Sequence, residues 1–252
     1  MKTYNQTKKS FFKVKPSVPK FDILSSFAPE ELKKRDEEIR AQEAKEIKNM
    51  RNKAFLGCGI NEDTKNCTFQ NYTTKLDAQK EALSLVWDFC KQVTSGEFGT
   101  LVLYGCPGSG KTHLVTALLN VVIHSVKKNW NKDFDEYYSG RYVLSRNISS
   151  ALMETYSYSS KTTYDGVINN FCIDDLLVID EIGRDPLATS GESSGLFAII
   201  DKRKSKGKPI AMCTNCNWEE FSKLLGSAAM SRIMQKPTIV DMTAIPDYRM
   251  NR

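Results

Sequence analysis

The most informative part of this sequence is Gly105-Cys106-Pro107-Gly108-Ser109-Gly110-Lys111-Thr112. It matches the pattern G-x-x-x-x-G-K-[ST] at every fixed position, after a predicted strand at 100–104 and at the start of a predicted helix at 111–126. Small residues let backbone N–H groups converge on a phosphate, and the helix N-terminus adds its dipole. A chance glycine-rich turn would not have this context. The predicted nucleotide contacts, for ATP, are Gly105, Pro107, Gly108, Ser109, Gly110, Lys111, Thr112 and the adjacent His113.

Two acidic residues follow a buried strand about seventy residues later, in Leu176-Leu177-Val178-Ile179-Asp180-Glu181. In a P-loop enzyme, the Lys at position 111 contacts the β- and γ-phosphates, and the Thr112 hydroxyl binds Mg²⁺. Asp180 is the predicted second Mg²⁺ ligand, and Glu181 is the predicted general base that polarises the attacking water. The alternative, that both acids only form the polar end of a strand, is unattractive beside a P-loop.

The hydrophobic pattern alternates between strand and helix from residue 76 onward. Such alternation predicts an α/β fold with a parallel, doubly wound sheet flanked by helices. Asn215 follows the fourth predicted strand, where its amide could orient the lytic water or simply act as a turn or cap residue. The predicted strands are 100–104, 141–144, 175–179, 209–213 and 238–242. The predicted helices are 76–95, 111–126, 147–156, 164–171, 194–204, 217–225 and 227–235.

The N-terminal region differs from the rest in charge. Residues 1–20 contain six Lys and no acidic residue, so the net charge of +6 resides there. A helix is predicted from Pro29 to about Lys53, with a thin apolar stripe that fits either a solvated helix or one that docks on a partner. We therefore predict an N-terminal arm and helix at 1–55, a linker at 56–75 and a nucleotide-binding domain at 76–252.

The composition excludes several classes of protein. No apolar run reaches the roughly 18 residues of a membrane helix, and the charged N-terminus is not that of a secreted protein. Seven Cys without repeated spacing, including the pair Cys213 and Cys216, favour reduced thiols. We therefore expect a cytoplasmic protein with no membrane partner.

Taken together, these motifs resemble those of bacterial replicative-helicase loaders of the DnaC type, which are AAA+ proteins related to the IstB-type transposition ATPases. The resemblance covers roughly residues 60–250. It rests on CTFQNY (67–72), YGCPGSGKTHL (104–114), DDLLVIDEIG (174–183), Asp201–Arg203, TNCNWEEFSKLL (214–225), Met230–Arg232 and Tyr248-Arg249.

The resemblance implies an AAA+ core in which Asp180 and Glu181 form Walker B and Asn215 is sensor 1. It further implies that Arg232 is an arginine finger inserted into a neighbouring subunit, so that subunits share an active site. Arg249 resembles sensor 2. In such loaders the N-terminal segment binds the hexameric helicase and the core binds ATP and single-stranded DNA, which assigns residues 1–55 to helicase docking.

Three segments leave alternatives open. The aromatic residues of 129–140 (Trp130, Phe134, Tyr137, Tyr138) could stack bases, but their acidic neighbours favour an insertion that packs on the domain. The resemblance aligns residues 146–164 with the region that family members use to grip DNA, but the candidates there, Arg146, Tyr156, Tyr158 and Lys161, could equally be ordinary surface residues. The basic cluster around Arg203 is interpreted as a solvated helix end, unless Arg203 faces a neighbouring subunit.

Three functions are compatible with this sequence. The first is an ATP-dependent loader that opens a hexameric helicase ring and is released by hydrolysis. The second is a transposition ATPase that remodels DNA and delivers a transposase, although such proteins normally lack a docking arm of this kind. The third is an adaptor gated by nucleotide binding alone, which would not need to keep Glu181.

Overall fold

The computed structural model describes residues 29–127, 136–158, 160–183 and 190–251. The chain divides into two units, residues 1–48 and 49–252. The basic arm at 1–20 and the aromatic residues Trp130 and Phe134 lie outside the described residues. The helices of these ranges are α1 (Pro29–Gly57), α2 (Asp77–Thr94), α3 (Lys111–His124), α4 (Ser145–Glu154), α5 (Tyr164–Asn170), α6 (Ser190–Ser205) and α7 (Trp218–Ile233). The strands are β1 (Thr100–Tyr104), β2 (Gly140–Leu144), β3 (Leu176–Ile182), β4 (Ile210–Thr214) and β5 (Pro237–Asp241).

The second unit is built on a five-stranded sheet with the order β2-β3-β4-β1-β5. All four strand pairs are parallel. The connection after β1 leads past β4 and β3 to β2, whereas the connection after β4 leads past β1 to β5, so the chain leaves the neighbouring strands β1 and β4 in opposite directions. In such a sheet, ligands bind outside the carboxyl ends of the strands where the strand order reverses. The predicted α/β fold with a doubly wound parallel sheet is confirmed.

The sheet is covered on both faces. Leu101 and Leu103 pack with α2 and α3, whereas Val102, between them, packs with residues of α4 to α7. This alternation follows from the two-residue period of a strand. Because both faces of the central strands β1, β3 and β4 are covered, these strands are buried at nearly every position, whereas the edge strand β5 is mostly exposed or half-buried. None of the helices in the described ranges is both long and apolar enough to cross a bilayer.

Several element boundaries differ from the prediction by one to four residues; α6, for example, begins at Ser190 rather than at 194. β3 continues to Ile182 and contains both acidic residues, because a register shift against β4 accommodates them between Ile179 and Ile182. α1 extends to Gly57 rather than to about residue 53. The break predicted between helices at 217–225 and 227–235 is confirmed, because α7 is interrupted at Gly226, whose backbone (φ 76°, ψ 166°) is not helical.

Arg203 corrects the interpretation of its basic cluster as a solvated helix end. Its side chain is completely buried. The guanidinium donates to four main-chain carbonyls, those of Phe171 (3.0 Å), Asp174 (3.1 Å), Asp175 (2.9 Å) and Pro209 (2.7 Å). Burial lowers the pKa of Arg203 to about 10, so the side chain stays charged at neutral pH. Arg203 thus connects the loop before β3 to the loop before β4. The sequence pattern gave no sign of these contacts, because most of these carbonyls lie far from Arg203 along the chain.

Two segments interpreted as connectors supply packing residues. Phe69 and Tyr72, in the segment between α1 and α2, are both buried in the core. Tyr138 donates its hydroxyl to the carbonyl of Thr94 (3.1 Å), and the guanidinium carbon of Arg51 lies 3.1 Å from the ring centroid of Tyr137. In the described part of the 129–140 segment, the aromatic residues thus pack on the domain, as its acidic neighbours suggested.

Candidate functional site

The loop 105–110 connects β1 to α3 and has the backbone of a phosphate cradle. Gly105, Gly108 and Gly110 have φ angles of 139°, 74° and 96°. Residues that carry a side chain rarely adopt these positive φ angles, which explains why glycine occupies these positions. Gly110 is the N-cap of α3, so the free N–H groups of the helix face the loop. The arrangement presents converging N–H donors and a positive helix end to an anion.

Lys111 supplies the positive charge of this cradle. Its side chain is buried, and its ammonium donates to the carbonyls of Gly105 (2.8 Å) and Cys106 (2.7 Å). Burial lowers the pKa of Lys111, and the carboxylate of Asp180 acts in the opposite direction. Among the described residues, no carboxylate oxygen lies within 4.0 Å of this ammonium. A buried cation with only neutral partners fits an anionic ligand such as a phosphate chain.

Asp180 lies at the carboxyl end of β3 and is almost completely buried. Its Oδ2 accepts from the hydroxyls of Thr112 (2.7 Å) and Tyr142 (2.7 Å), and its Oδ1 accepts from the N–H of Glu181 (2.7 Å). The structure therefore joins the two predicted Mg²⁺ ligands, Thr112 and Asp180, across 68 residues of sequence.

Glu181 is held in a backbone conformation unusual for its residue type. Its φ is 59°, and it lies in the register shift between β3 and β4. Such a bulge turns side chains away from the alternation of a regular strand. Thr214 links the two strand ends here, because its hydroxyl donates to the carbonyl of Ile182 (2.8 Å). The left-handed backbone turns the Glu181 side chain in a different direction from that of Asp180. Strained backbone conformations of this kind occur most often at functional sites.

Asn215 directly follows β4 and is exposed. The residue before it, Thr214, pairs in register with Tyr104, which immediately precedes the P-loop. Asn215 therefore lies at the carboxyl ends of the strands, as do the P-loop and the two acidic residues, because β4 lies between β1 and β3.

The segment Cys67–Tyr72 borders the P-loop. His113 Nε2 lies 2.8 Å from the carbonyl oxygen of Thr68, and the rings of Tyr72 and His113 are 5.3 Å apart in an edge-on arrangement. A Cβ at Gly110 would lie 2.8 Å from the Tyr72 ring. Burial raises the pKa of Tyr72 to about 12. His113 therefore contacts a neighbouring segment and holds it beside the P-loop.

The C-terminal segment borders the P-loop from another side. The N–H of Tyr248, at the start of a 3-10 turn (Tyr248–Asn251), donates to the carbonyl of Gly108 (3.0 Å). Asp247 lies against Gly108, and its carboxylate is 3.4 Å from Arg249 Nε. The charge of Arg249 contributes to lowering the pKa of Lys111, so Arg249 lies in the electrostatic field of the P-loop.

Arg232, on α7, has a different environment. Its Nε donates to Asp201 Oδ1 on α6 at 2.6 Å, and its side chain is about one-third exposed, at 37%. This ion pair is with a neighbouring helix, not with the P-loop of the same chain. Asp201 therefore fixes the direction in which the guanidinium leaves α7.

The fit of Mg²⁺ can be judged from the donor atoms. Thr112 and Asp180 offer hard oxygen donors next to the phosphate cradle. The described residues contain no cluster of three or more His, Cys, Asp or Glu that could hold a metal ion. Mg²⁺ usually binds through one or two carboxylates together with substrate phosphates, so this donor set suits a nucleotide-bound ion. Such an ion, when bound, would neutralise charge on the phosphates.

Tyr142 is the member of this site that sequence reasoning missed. It belongs to no motif, and in the sequence it is one residue of the short strand pattern 141–144. Burial and the Asp180 carboxylate raise the pKa of Tyr142, so its hydroxyl stays protonated and donates. Tyr142 reaches Asp180 only because β2 pairs with β3.

Comparison with known proteins agrees with this geometry. Residues 35–243 match the family model described as IstB-like ATP binding protein. The replicative helicase loader DnaC of Escherichia coli strain K12 is 32% identical over 181 residues, which cover 72% of this chain and 68% of that protein. The corresponding loader of Buchnera aphidicola subsp. Schizaphis graminum is 28% identical over 239 residues, covering 92% and 90%.

The fold agrees with a solved structure. The crystal structure of the DnaC helicase loader superimposes with a TM-score of 0.58 at 20% sequence identity, covering 72% of this chain and 99% of that one. The family match spans most of the chain and includes the P-loop and both acidic residues. The chain therefore belongs to the DnaC-type family of AAA+ proteins with an IstB-like ATP-binding domain, as its motifs predicted, and it is an ATPase.

Proposed function

We propose that this protein binds a hexameric replicative helicase through its N-terminal region and loads it onto single-stranded DNA in an ATP-dependent cycle. The observation that carries the proposal is the similarity to a replicative helicase loader over 92% of this chain, which is more of the chain than the residues 35–243 that match the IstB-like family model. Similarity confined to the ATPase core would not separate a loader from a transposition ATPase. On these grounds, the loader is favoured over an IstB-like protein that delivers a transposase.

In the proposed cycle, the P-loop holds the phosphates of ATP, and Lys111 gives up its two carbonyl partners to contact the β- and γ-phosphates. Thr112 and Asp180 would hold the Mg²⁺ that accompanies the nucleotide. Glu181 accepts a proton from the attacking water, and Asn215 orients that water. Arg249 contacts the phosphates as sensor 2. Loss of the γ-phosphate then weakens the assembly and releases the loader.

Arg232 is proposed to complete the site of a neighbouring subunit. A guanidinium that reaches the γ-phosphate stabilises the charge of the transition state and makes hydrolysis depend on assembly. The contact with Asp201 would hold this side chain on α7 until a neighbour docks. An isolated subunit is then expected to bind ATP but turn it over slowly.

Single-stranded DNA is proposed to contact the segment after α4. Tyr156 and Tyr158 are highly exposed there, and Arg146 and Lys161 are exposed nearby in sequence. Exposed aromatic rings stack on bases of any sequence, and each stack contributes about 1–3 kcal/mol. Fluorescence anisotropy with labelled oligo(dT) should therefore show weaker binding for Tyr156→Ala and Tyr158→Ala. Unchanged binding by both variants would remove this segment from the DNA site.

Helicase docking is proposed for residues 1–55. In α1, Ile39 and Ile47 are 50% and 37% exposed. At about 100° per residue they lie on one side of the helix, as in helices that dock into an apolar groove. The proposed compartment is the cytoplasm, where a replicative helicase acts.

Native mass spectrometry with the host's replicative helicase and ATP tests this function. The full chain should add several copies to the helicase hexamer. A variant lacking residues 1–48, the first of the two units, should add none. Ile39→Glu should weaken the complex, whereas Ala41→Glu, which adds the same charge on the opposite side of α1, should not. If the full chain forms no complex at any nucleotide state, the transposition ATPase becomes the preferred function.

A further inference from the structure

Tyr142 occupies a position from which it can fix the Asp180 carboxylate. It lies on β2, and its partner in the register of β2 and β3 is Val178, two residues before Asp180. Residues two apart in a strand point to the same face of the sheet. The Tyr142 hydroxyl thereby reaches Asp180 Oδ2 at 2.7 Å in a buried environment. Hydrogen bonds to an ionised acceptor in such surroundings are stronger than those between neutral groups.

The carboxylate of Asp180 is held by three donors in different parts of the chain. Thr112 comes from α3, the Glu181 N–H from the bulge of β3, and Tyr142 from β2. Thr112 is itself a proposed metal ligand and Glu181 is the proposed base. Tyr142 is therefore the donor that holds Asp180 without a second role in the chemistry.

The main chain of Tyr142 is fixed as well. Its N–H donates to the carbonyl of Cys58 (2.7 Å), in the turn that follows α1. The neighbouring Gly59 has φ 88°, and a Cβ there would lie 2.5 Å from the Tyr142 carbonyl oxygen. The turn thus lies closely against β2, and Tyr142 is held at both its backbone and its hydroxyl.

We infer that Tyr142 is a positioning residue that orients Asp180 for the divalent cation that accompanies the nucleotide. The inference rests on the proposed roles of Thr112 and Asp180 in holding Mg²⁺. Donors that orient a metal-binding carboxylate typically change metal affinity by about tenfold or more when they are removed. A tyrosine that served only packing would affect stability and leave the metal requirement unchanged.

The test is a Mg²⁺ titration of nucleotide binding, measured by the anisotropy of a fluorescent ATP analogue, so it needs no turnover. Tyr142→Phe removes the hydroxyl and keeps the ring. It should raise the Mg²⁺ concentration at half-maximal binding about tenfold and leave binding in EDTA unchanged. The matched control is Tyr138→Phe, which removes a hydroxyl that donates to the Thr94 carbonyl (3.1 Å), and it should keep the wild-type midpoint.

The outcomes separate the inference from the proposed function. If wild-type binding does not depend on Mg²⁺, the metal site itself is wrong. If wild-type binding depends on Mg²⁺ and Tyr142→Phe has the same midpoint, or both Phe variants shift equally, the positioning role is wrong. If Tyr142→Phe does not fold, Tyr142→Met, which also lacks the donor but packs more adaptably, takes its place with the same expected shift.

Discussion

Replacing Glu181 by glycine and, separately, by alanine separates the backbone strain at this residue from the function of its carboxylate. Glu181 has φ 59°, and it is the one non-glycine residue with positive φ in the part of the chain that the structure describes. A Cβ in this conformation costs about 1–2 kcal/mol. Glycine avoids that cost but gains freedom in the unfolded chain, which opposes folding by about 0.5–1 kcal/mol.

The net expectation is that Glu181→Gly is more stable than Glu181→Ala by about 0.5–1 kcal/mol. At a strand position with an ordinary negative φ, the alanine variant would instead be the more stable of the two. Because both variants lack the carboxylate, the interactions of that group cancel in the comparison. Urea unfolding of the two proteins measures the difference directly. Equal stability, or a more stable alanine variant, would refute the strain argument.

The same two variants test the chemistry. Both should bind ATP and lose turnover by about 10²–10⁴-fold, because a general base contributes about that much. Glu181→Gln, which keeps the shape of the side chain, should behave in the same way. Turnover at the wild-type rate in any of the three would remove Glu181 from the role of base.

Three further predictions follow from single side chains. Arg203→Met should lower the free energy of unfolding by about 3–5 kcal/mol, because it leaves two buried and two partly buried carbonyls without their donor; a loss below 1 kcal/mol in urea unfolding would contradict this. Lys111→Ala should weaken ATP binding by about a hundredfold, since it removes a charged hydrogen-bond partner of the phosphates; calorimetric affinity within threefold of wild type would count against it. Arg232→Ala should abolish assembly-dependent turnover and regain part of it when mixed with Lys111→Ala subunits, whereas an absence of recovery would argue against a finger acting between subunits.

The sequence was sufficient for features that depend on neighbouring residues. The P-loop at 105–112 is specified by its own glycines and by the strand and helix on either side. Apolar runs such as Leu176–Ile179 identified buried strands, and their alternation with helices identified the parallel sheet. The family match then confirmed the ATPase.

The missed features depend on contacts distant in sequence. Tyr142 acquires its role only because β2 pairs with β3. Arg203 appeared to be one cation in a polar helix end because its partners are carbonyls of two other loops. The left-handed backbone of Glu181 arises from a register shift between β3 and β4, and no side-chain pattern encodes such a shift locally.

The central claim, that this chain opens a helicase ring for DNA, is tested most directly on a covalently closed single-stranded DNA circle. A closed hexamer cannot thread onto a circle without ends, so salt-resistant retention of helicase requires that the ring be opened. We predict that retention needs both this protein and ATP, and that it is lost with the variant lacking residues 1–48. Retention that is unchanged when the protein is omitted, or an absence of retention when all components are present, would contradict the proposed function.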